Sequence, residues 1–126
     1  MKAVFLRTKP YCADALNLPV ADVEAAIPYY EKTFGFRVAE RADAPHRAVI
    51  LERDSVRIGL AENGGDPTQD GCFFEVDDLA AAYEEIRGGP PPDSAFRADQ
   101  FNGVPFRVFF VVAPDGLCYM LGQRQA

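Results

Sequence analysis

Val20-Ala21-Asp22-Val23-Glu24-Ala25-Ala26 is answered 56 residues later by Val76-Asp77-Asp78-Leu79-Ala80-Ala81-Ala82. Each copy is an apolar run that stops at an Asp and passes into a helical pattern. An Asp before an apolar helix is a common start signal, because its carboxylate accepts from the free N–H groups of the first turn. Chance supplies one such junction easily. Two with matching flanks, spaced at nearly half of 126 residues, point to duplication of one structural unit. Units of this size pair to bury a shared core and leave a cleft between them.

Working outward, residues 12–20 alternate moderately and predict a strand ending at Pro19-Val20. Asp22 is the natural N-cap, and Glu24 sits in the first turn, where the helix dipole favours a carboxylate. Val23, Ala26, Ile27, Tyr30 and Phe34 share one helical face. Pro28 lies inside that pattern and predicts a bend, and Gly35 supplies a left-handed stop. Strands follow at 36–41, 47–52 and 55–61, the last two joined tightly through Arg53-Asp54. Asn63-Gly64-Gly65-Asp66-Pro67 marks a linker over 62–70.

The second half repeats the order. A strand at 71–76 precedes a helix capped by Asp77 or Asp78, with Leu79, Ala82, Tyr83 and Ile86 on its core face. Gly88-Gly89 ends that helix. A weak strand near Ala95, a strong one at 105–112 and a last one at 117–123 complete the set, with Pro114-Asp115-Gly116 turning between the last two. The expectation is therefore an α+β chain forming one domain over 1–126. Module one spans about 12–61 and module two about 71–123. Each is a βαβββ unit, with curved mixed sheets enclosing a cleft and helices on the outside.

Composition bounds the function. Hydrophobic residues make up 48% and charged residues 25%, an ordinary globular balance. No apolar run is long enough to cross a membrane. The apolar part of the first residues is too short for a signal peptide, which predicts a cytoplasmic protein. Cys12, Cys72 and Cys118 are odd in number with no CxxC spacing, so neither a disulfide framework nor a structural zinc site is expected. The net charge of −6 disfavours nucleic acid and anionic membrane, and is compatible with a neutral or cationic small molecule.

The ordered set Leu18-Pro19-Val20-Ala21-Asp22-Val23, Ile27-Pro28-Tyr29-Tyr30, Phe34-Gly35-Phe36, Phe74-Glu75-Val76-Asp77-Asp78-Leu79 and Pro114-Asp115-Gly116 resembles the vicinal oxygen chelate superfamily. That superfamily contains glyoxalases, extradiol dioxygenases and bleomycin-resistance proteins. The resemblance covers roughly residues 12–123. It implies the paired fold, a homodimer, and in the metal-dependent members a divalent cation held by His and Glu side chains of the cleft. Carried over by the motif, those ligand positions are Ala15, Gly59, Gly71 and Met120, none of them a usual ligand for such a cation. The single histidine, His46, lies near a loop at Ala44-Pro45, so the chain has no pair of imidazoles. No metal, no other cofactor and no catalytic residue is expected, and metal-dependent glyoxalase activity least of all.

Without ligands the cleft is expected to be apolar and aromatic with a few polar handles. Strand parity places Asn17, Arg57, Phe73, Glu75, Cys118 and Met120 inward beside Gly59 and Gly71, since Leu18, Ile58, Phe74, Val76, Tyr119 and Leu121 belong to the helix-facing core. Phe106 and Phe110, with Val108, join them if that parity of the 105–112 strand faces in. Arg107, Phe109 and Val111 compete, and turn length decides between the sets. Phe101 and Asn102 are expected on a loop over the mouth. The function so implied is metal-independent binding of a small antibiotic or aromatic metabolite by sequestration. The alternatives are a lyase, isomerase or dioxygenase with an atypical site, and a non-catalytic scaffold.

Overall fold

The structure, a computed structural model, describes residues 3–10, 14–92, 94–101 and 103–125. A first strand, β1 (Phe5–Pro10), precedes the repeats. The first repeat is β2 (Leu18–Pro19), α1 (Val23–Thr33), β3 (Arg37–Ala42), β4 (Ala48–Arg53) and β5 (Val56–Ala61). After a short 3-10 turn at Pro67–Gln69 the second is β6 (Gly71–Val76), α2 (Leu79–Arg87), β7 (Arg97–Phe101), β8 (Val104–Val112) and β9 (Cys118–Arg124).

The helix starts follow from the repeated Asp. Asp22 accepts from the Ala25 N–H at 3.2 Å, and Asp78 from the Ala81 N–H at 3.0 Å. Each thereby satisfies a donor that the first helical turn leaves free. Gly35 (φ +69°) follows α1 and Gly88 (φ +82°) closes α2, both in the left-handed region that lacks a penalty only for glycine. α1 continues as one helix through Pro28.

The two repeats build their sheets alike. In one the order is β2-β5-β4-β3, in the other β6-β9-β8-β7 with β1 added outside β6. In each, the first strand lies parallel to the last and the other pairings are antiparallel. The mixed pairing matches expectation, but the expected curvature around a cleft does not. Both sheets are open: β2 and β3 are the edges of one, β1 and β7 of the other, and no pairing joins edge to edge among the described residues. A sheet closes only when its edge strands meet in register, and in the four-stranded sheet a two-residue β2 is too short to carry that pairing. The strand expected over 12–20 is thus confined to Leu18–Pro19, Cys12 lies outside the described residues, and β1 was not anticipated.

One core serves both halves. α1 contributes Val23, Ile27 and Tyr30, α2 contributes Leu79 and Ala82, and the strands contribute Phe5, Leu51, Ile58, Phe74, Tyr119 and Leu121. Phe74 lies flat on Tyr119, with ring centres 5.3 Å apart and planes inclined by 12°. Buried Arg53 crosses between the halves. It donates to the Phe34 carbonyl at 2.6 Å and the Ala3 carbonyl at 2.7 Å, and it pairs with Glu85 of α2 at 2.9 Å. Its guanidinium also stands 4.3 Å from the centre of the Phe5 ring. A charge so deeply placed is tolerable because nearly every direction around it is answered by an acceptor or a ring.

Candidate ligand-binding site

The five-stranded sheet has a second apolar face. Along β6, Cys72, Phe74 and Val76 enter the main core, so Phe73 and Glu75 stand on the opposite side. Along β9, Tyr119 and Leu121 are core, and Met120 and Arg124 face the other way. Along β8, Phe109 and Val111 are core, whereas Phe106 and Val108 join Phe73 and Met120 in a separate cluster. That settles the choice left by the 105–112 strand in favour of Phe106.

A cavity of about 540 Å³ opens on this face. Its floor is three rings in mutual contact. Phe73 and Phe101 have centres 5.3 Å apart, Phe73 and Phe106 5.5 Å with planes at 87°, and Phe101 and Phe106 5.3 Å. Edge-to-face arrangements of this kind leave ring faces available to a flat guest. Val104 and Met120 complete the apolar part.

The polar wall comes from Arg7, Lys9, Glu75, Gln100 and Arg124. Arg7 sits opposite Glu75 and Lys9 opposite Phe73 across the β1–β6 pairing. Strict alternation would put Arg7 on the same face as buried Phe5. The pairing slips between these two residues, with Phe5 opposite Val76 and Arg7 opposite Glu75, and this bulge turns Arg7 to the cavity. The Glu75 side chain is only 5% exposed, yet it meets Arg7 Nε at 3.5 Å and Arg124 Nη2 at 3.3 Å, both through Oε1. Arg124 also lies 5.5 Å from the centre of the Phe106 ring.

Of the residues singled out from sequence, the structure therefore gathers Phe73, Glu75, Phe101, Phe106 and Met120 around one cavity. Phe101 is the last residue of β7 rather than part of a loop, and Asn102 lies outside the described residues. The others stand elsewhere. Arg57 is on the four-stranded sheet, paired with Glu40 and Glu52 at 2.9 Å each. Asn17 accepts from the Asn63 side-chain amide at 3.1 Å. Phe110 is partly exposed, with the Arg97 guanidinium 5.5 Å from its ring centre. Gly71 and Cys118 are paired in register at the starts of β6 and β9 and do not line the cavity. Arg7, Lys9, Gln100, Val104 and Arg124 were not foreseen. Arg124 was within reach, since it shares the parity of Met120.

A divalent metal does not fit the family's ligand positions. A side chain at Gly59 has no room, because a Cβ there would stand 2.1 Å from the Leu16 carbonyl oxygen. Gly59 is thus a place where two backbones touch, as its N–H bond to the Ala15 carbonyl at 2.8 Å also shows. No group of three or more His, Cys, Asp or Glu side chains able to hold a metal occurs among the described residues. The described thiols are no better placed as nucleophiles. Burial pushes Cys72 up to about 12, against a smaller lowering by the Thr8 hydroxyl, and burial also raises Cys118. No helix among the described residues is long and apolar enough to cross a membrane.

Comparison with known proteins now places the fold. The chain belongs to the Glyoxalase/Bleomycin resistance protein/Dioxygenase superfamily, whose model matches residues 12–96. Three solved structures resemble it over nearly their whole lengths. One is a bleomycin resistance determinant encoded on the transposon Tn5, 26% identical, with TM-score 0.62 over 87% of this chain and 95% of that one. Another is a bleomycin-binding protein complexed with bleomycin, 25% identical, with TM-score 0.60 over 86% and 95%. A protein from the mobile metagenome of V. pseudocholerae is 21% identical, with TM-score 0.68 over 90% and 95%, a likeness of fold alone. Among curated proteins none matches the chain.

Proposed function

We propose that this chain binds a small antibiotic-like or aromatic organic molecule in the cavity of the five-stranded sheet and acts by sequestering it, without a metal. The observation that carries this reading is the floor of Phe73, Phe101 and Phe106 beneath a polar wall, in a cavity of about 540 Å³. Ligand pockets characteristically combine an apolar lining with a few convergent polar groups in volumes of this order. Among the described residues the wall offers charge and hydrogen-bond donors but no imidazole and no thiol to begin covalent chemistry. The likeness to bleomycin-binding proteins supports the same class of ligand.

A thermal-shift screen of antibiotics and aromatic metabolites, with and without divalent metals, tests it. A ligand at about 100 times its dissociation constant adds about 2.7 kcal/mol to stability. Stabilisation by an organic ligand alone is expected. Stabilisation that depends on about one bound metal per chain would replace this reading with a catalytic one.

The working form in this reading is a two-fold homodimer in the cytoplasm. The open edges at β3 and β7 support the dimer, since exposed strand edges are commonly covered by a second copy. Light scattering at micromolar concentration should give twice the chain mass, and a lone 13.9 kDa species refutes the dimer.

A further inference from the structure

The cavity carries a charge opposite to that of the chain. The chain as a whole has a net charge of −6. The cavity wall holds Arg7, Lys9 and Arg124 against the one carboxylate of Glu75, three positive charges to one negative, or +2. A concave wall of one sign with apolar surfaces beside it concentrates field and attracts the opposite charge, whatever the distant surface carries.

The carboxylate is already spent. Glu75 Oε1 meets both guanidiniums, at 3.5 Å and 3.3 Å, and the side chain is nearly buried beneath them. An incoming ammonium would meet two arginines before it met Glu75. The Arg7 and Arg124 side chains are about half exposed, at 55% and 49%, and each guanidinium has five N–H donors in a fixed fork. Glu75 therefore anchors them from below and leaves donors to face outward. Lys9, directly across from Phe73, has no ion-pair partner among the described residues. Arg124 stands beside the ring of Phe106, so the positive charge borders the stacking floor.

We infer that the ligand of this cavity is an aromatic organic anion, its ring on Phe73, Phe101 and Phe106 and its carboxylate or phosphate held by Arg7, Lys9 and Arg124. This rests on the cavity being the ligand site, and it reverses the ligand charge that the acidic composition suggests. Arginine forks match carboxylate and phosphate oxygens in pairs, which is the geometry such a group requires.

Four probes with the same naphthalene ring system and different charge separate the possibilities: 1-naphthoate, 1-naphthyl phosphate, 1-naphthalenemethanol and 1-naphthylmethylammonium, each titrated calorimetrically into the full chain. At least one anion is expected to bind roughly tenfold or more tightly than the alcohol (about 1.4 kcal/mol), with the ammonium weakest. The two anions tell carboxylate from phosphate. The preference should shrink as salt rises toward about 0.15 M, where screening acts within roughly 8 Å. Lys9→Met and Arg124→Met should each lower the anion's affinity by a larger factor than the alcohol's, with unfolding midpoints recorded to exclude a folding defect. If the alcohol or the ammonium binds as tightly as both anions, the inference fails while the small-molecule reading stands. If no probe of any charge binds, the inference fails, and the small-molecule reading is decided by the thermal-shift screen.

Discussion

Gly122 lies directly beneath Phe73: a Cβ at position 122 would stand 2.7 Å from ring carbon Cε1. The cavity floor is therefore set partly by an atom that is missing from β9. Gly122→Ala must push the ring, and Val108 Cγ1 at 3.1 Å limits sideways relaxation, so the ring moves toward the cavity. Overpacking of this kind costs roughly 1–3 kcal/mol of stability. We expect a roughly tenfold loss of probe affinity, about 1.4 kcal/mol, measured by titration calorimetry beside the unfolding midpoint. Unchanged affinity would mean that the ring does not form the floor.

Phe73 and Phe74 are neighbours with opposite duties. Phe74 is fully buried between Tyr119, Phe5, Phe34 and Phe36. Phe74→Ala should cost roughly 3–5 kcal/mol as a core truncation. Phe73→Ala removes a cavity ring and should weaken binding more than it lowers stability. Paired measurement of midpoint and affinity for both variants decides it, and the reverse ranking would invert the faces assigned to β6.

Tyr30 donates to Asp115 Oδ2 at 2.7 Å and shares a 2.6 Å hydroxyl contact with Tyr119. Tyr30→Phe keeps the ring stacking and removes only the hydroxyl, leaving Tyr119 short of a partner in the core. A buried group so stranded costs about 1–3 kcal/mol. Denaturant melts should show that loss with an unchanged slope. A neutral result would imply that Tyr119 finds Asp115 by itself.

Alkaline pH attacks the same corner. Burial raises Tyr30 and Tyr119 far above the ordinary 10.0, and Cys72 from 9.0 to about 12. All three groups hold their protons more firmly folded than unfolded. Their stabilisation is thus complete below about pH 9 and is lost as pH rises beyond it, because the unfolded chain releases protons first. The unfolding midpoint should decline above about pH 9, and less steeply in Tyr30→Phe. An equal decline in the variant would assign the alkaline loss to other groups.

Much of the frame was legible because it rests on local signals. The twin Asp caps, the left-handed glycines and the alternation of β6 each act within a few residues, so the helix starts, the stops and the cavity side of Phe73 and Glu75 could be read directly. The openness of the sheets was not legible, because it depends on which strands end up as unpaired edges, an outcome of long-range pairing rather than of local signals. Arg7 and Lys9 were hidden for a sharper reason. Their strand pairs with a partner more than sixty residues away, and a bulge reverses the parity between Phe5 and Arg7. Alternation read along that strand would have put Arg7 in the core. Arg57 erred differently: its parity reading was made for a sheet that carries its own ion pairs instead of the cavity.

The placement of β1 makes the two halves unequal. The duplicated unit supplies five elements to each half, and both halves order their strands alike, yet β1 is added to only one of them. Two of the three cavity cations ride on that extra strand. The rings sit on strands of the doubled unit, whereas most of the positive charge sits on one edge strand outside it, so the two halves of the cavity's chemistry are carried by separable parts of the chain.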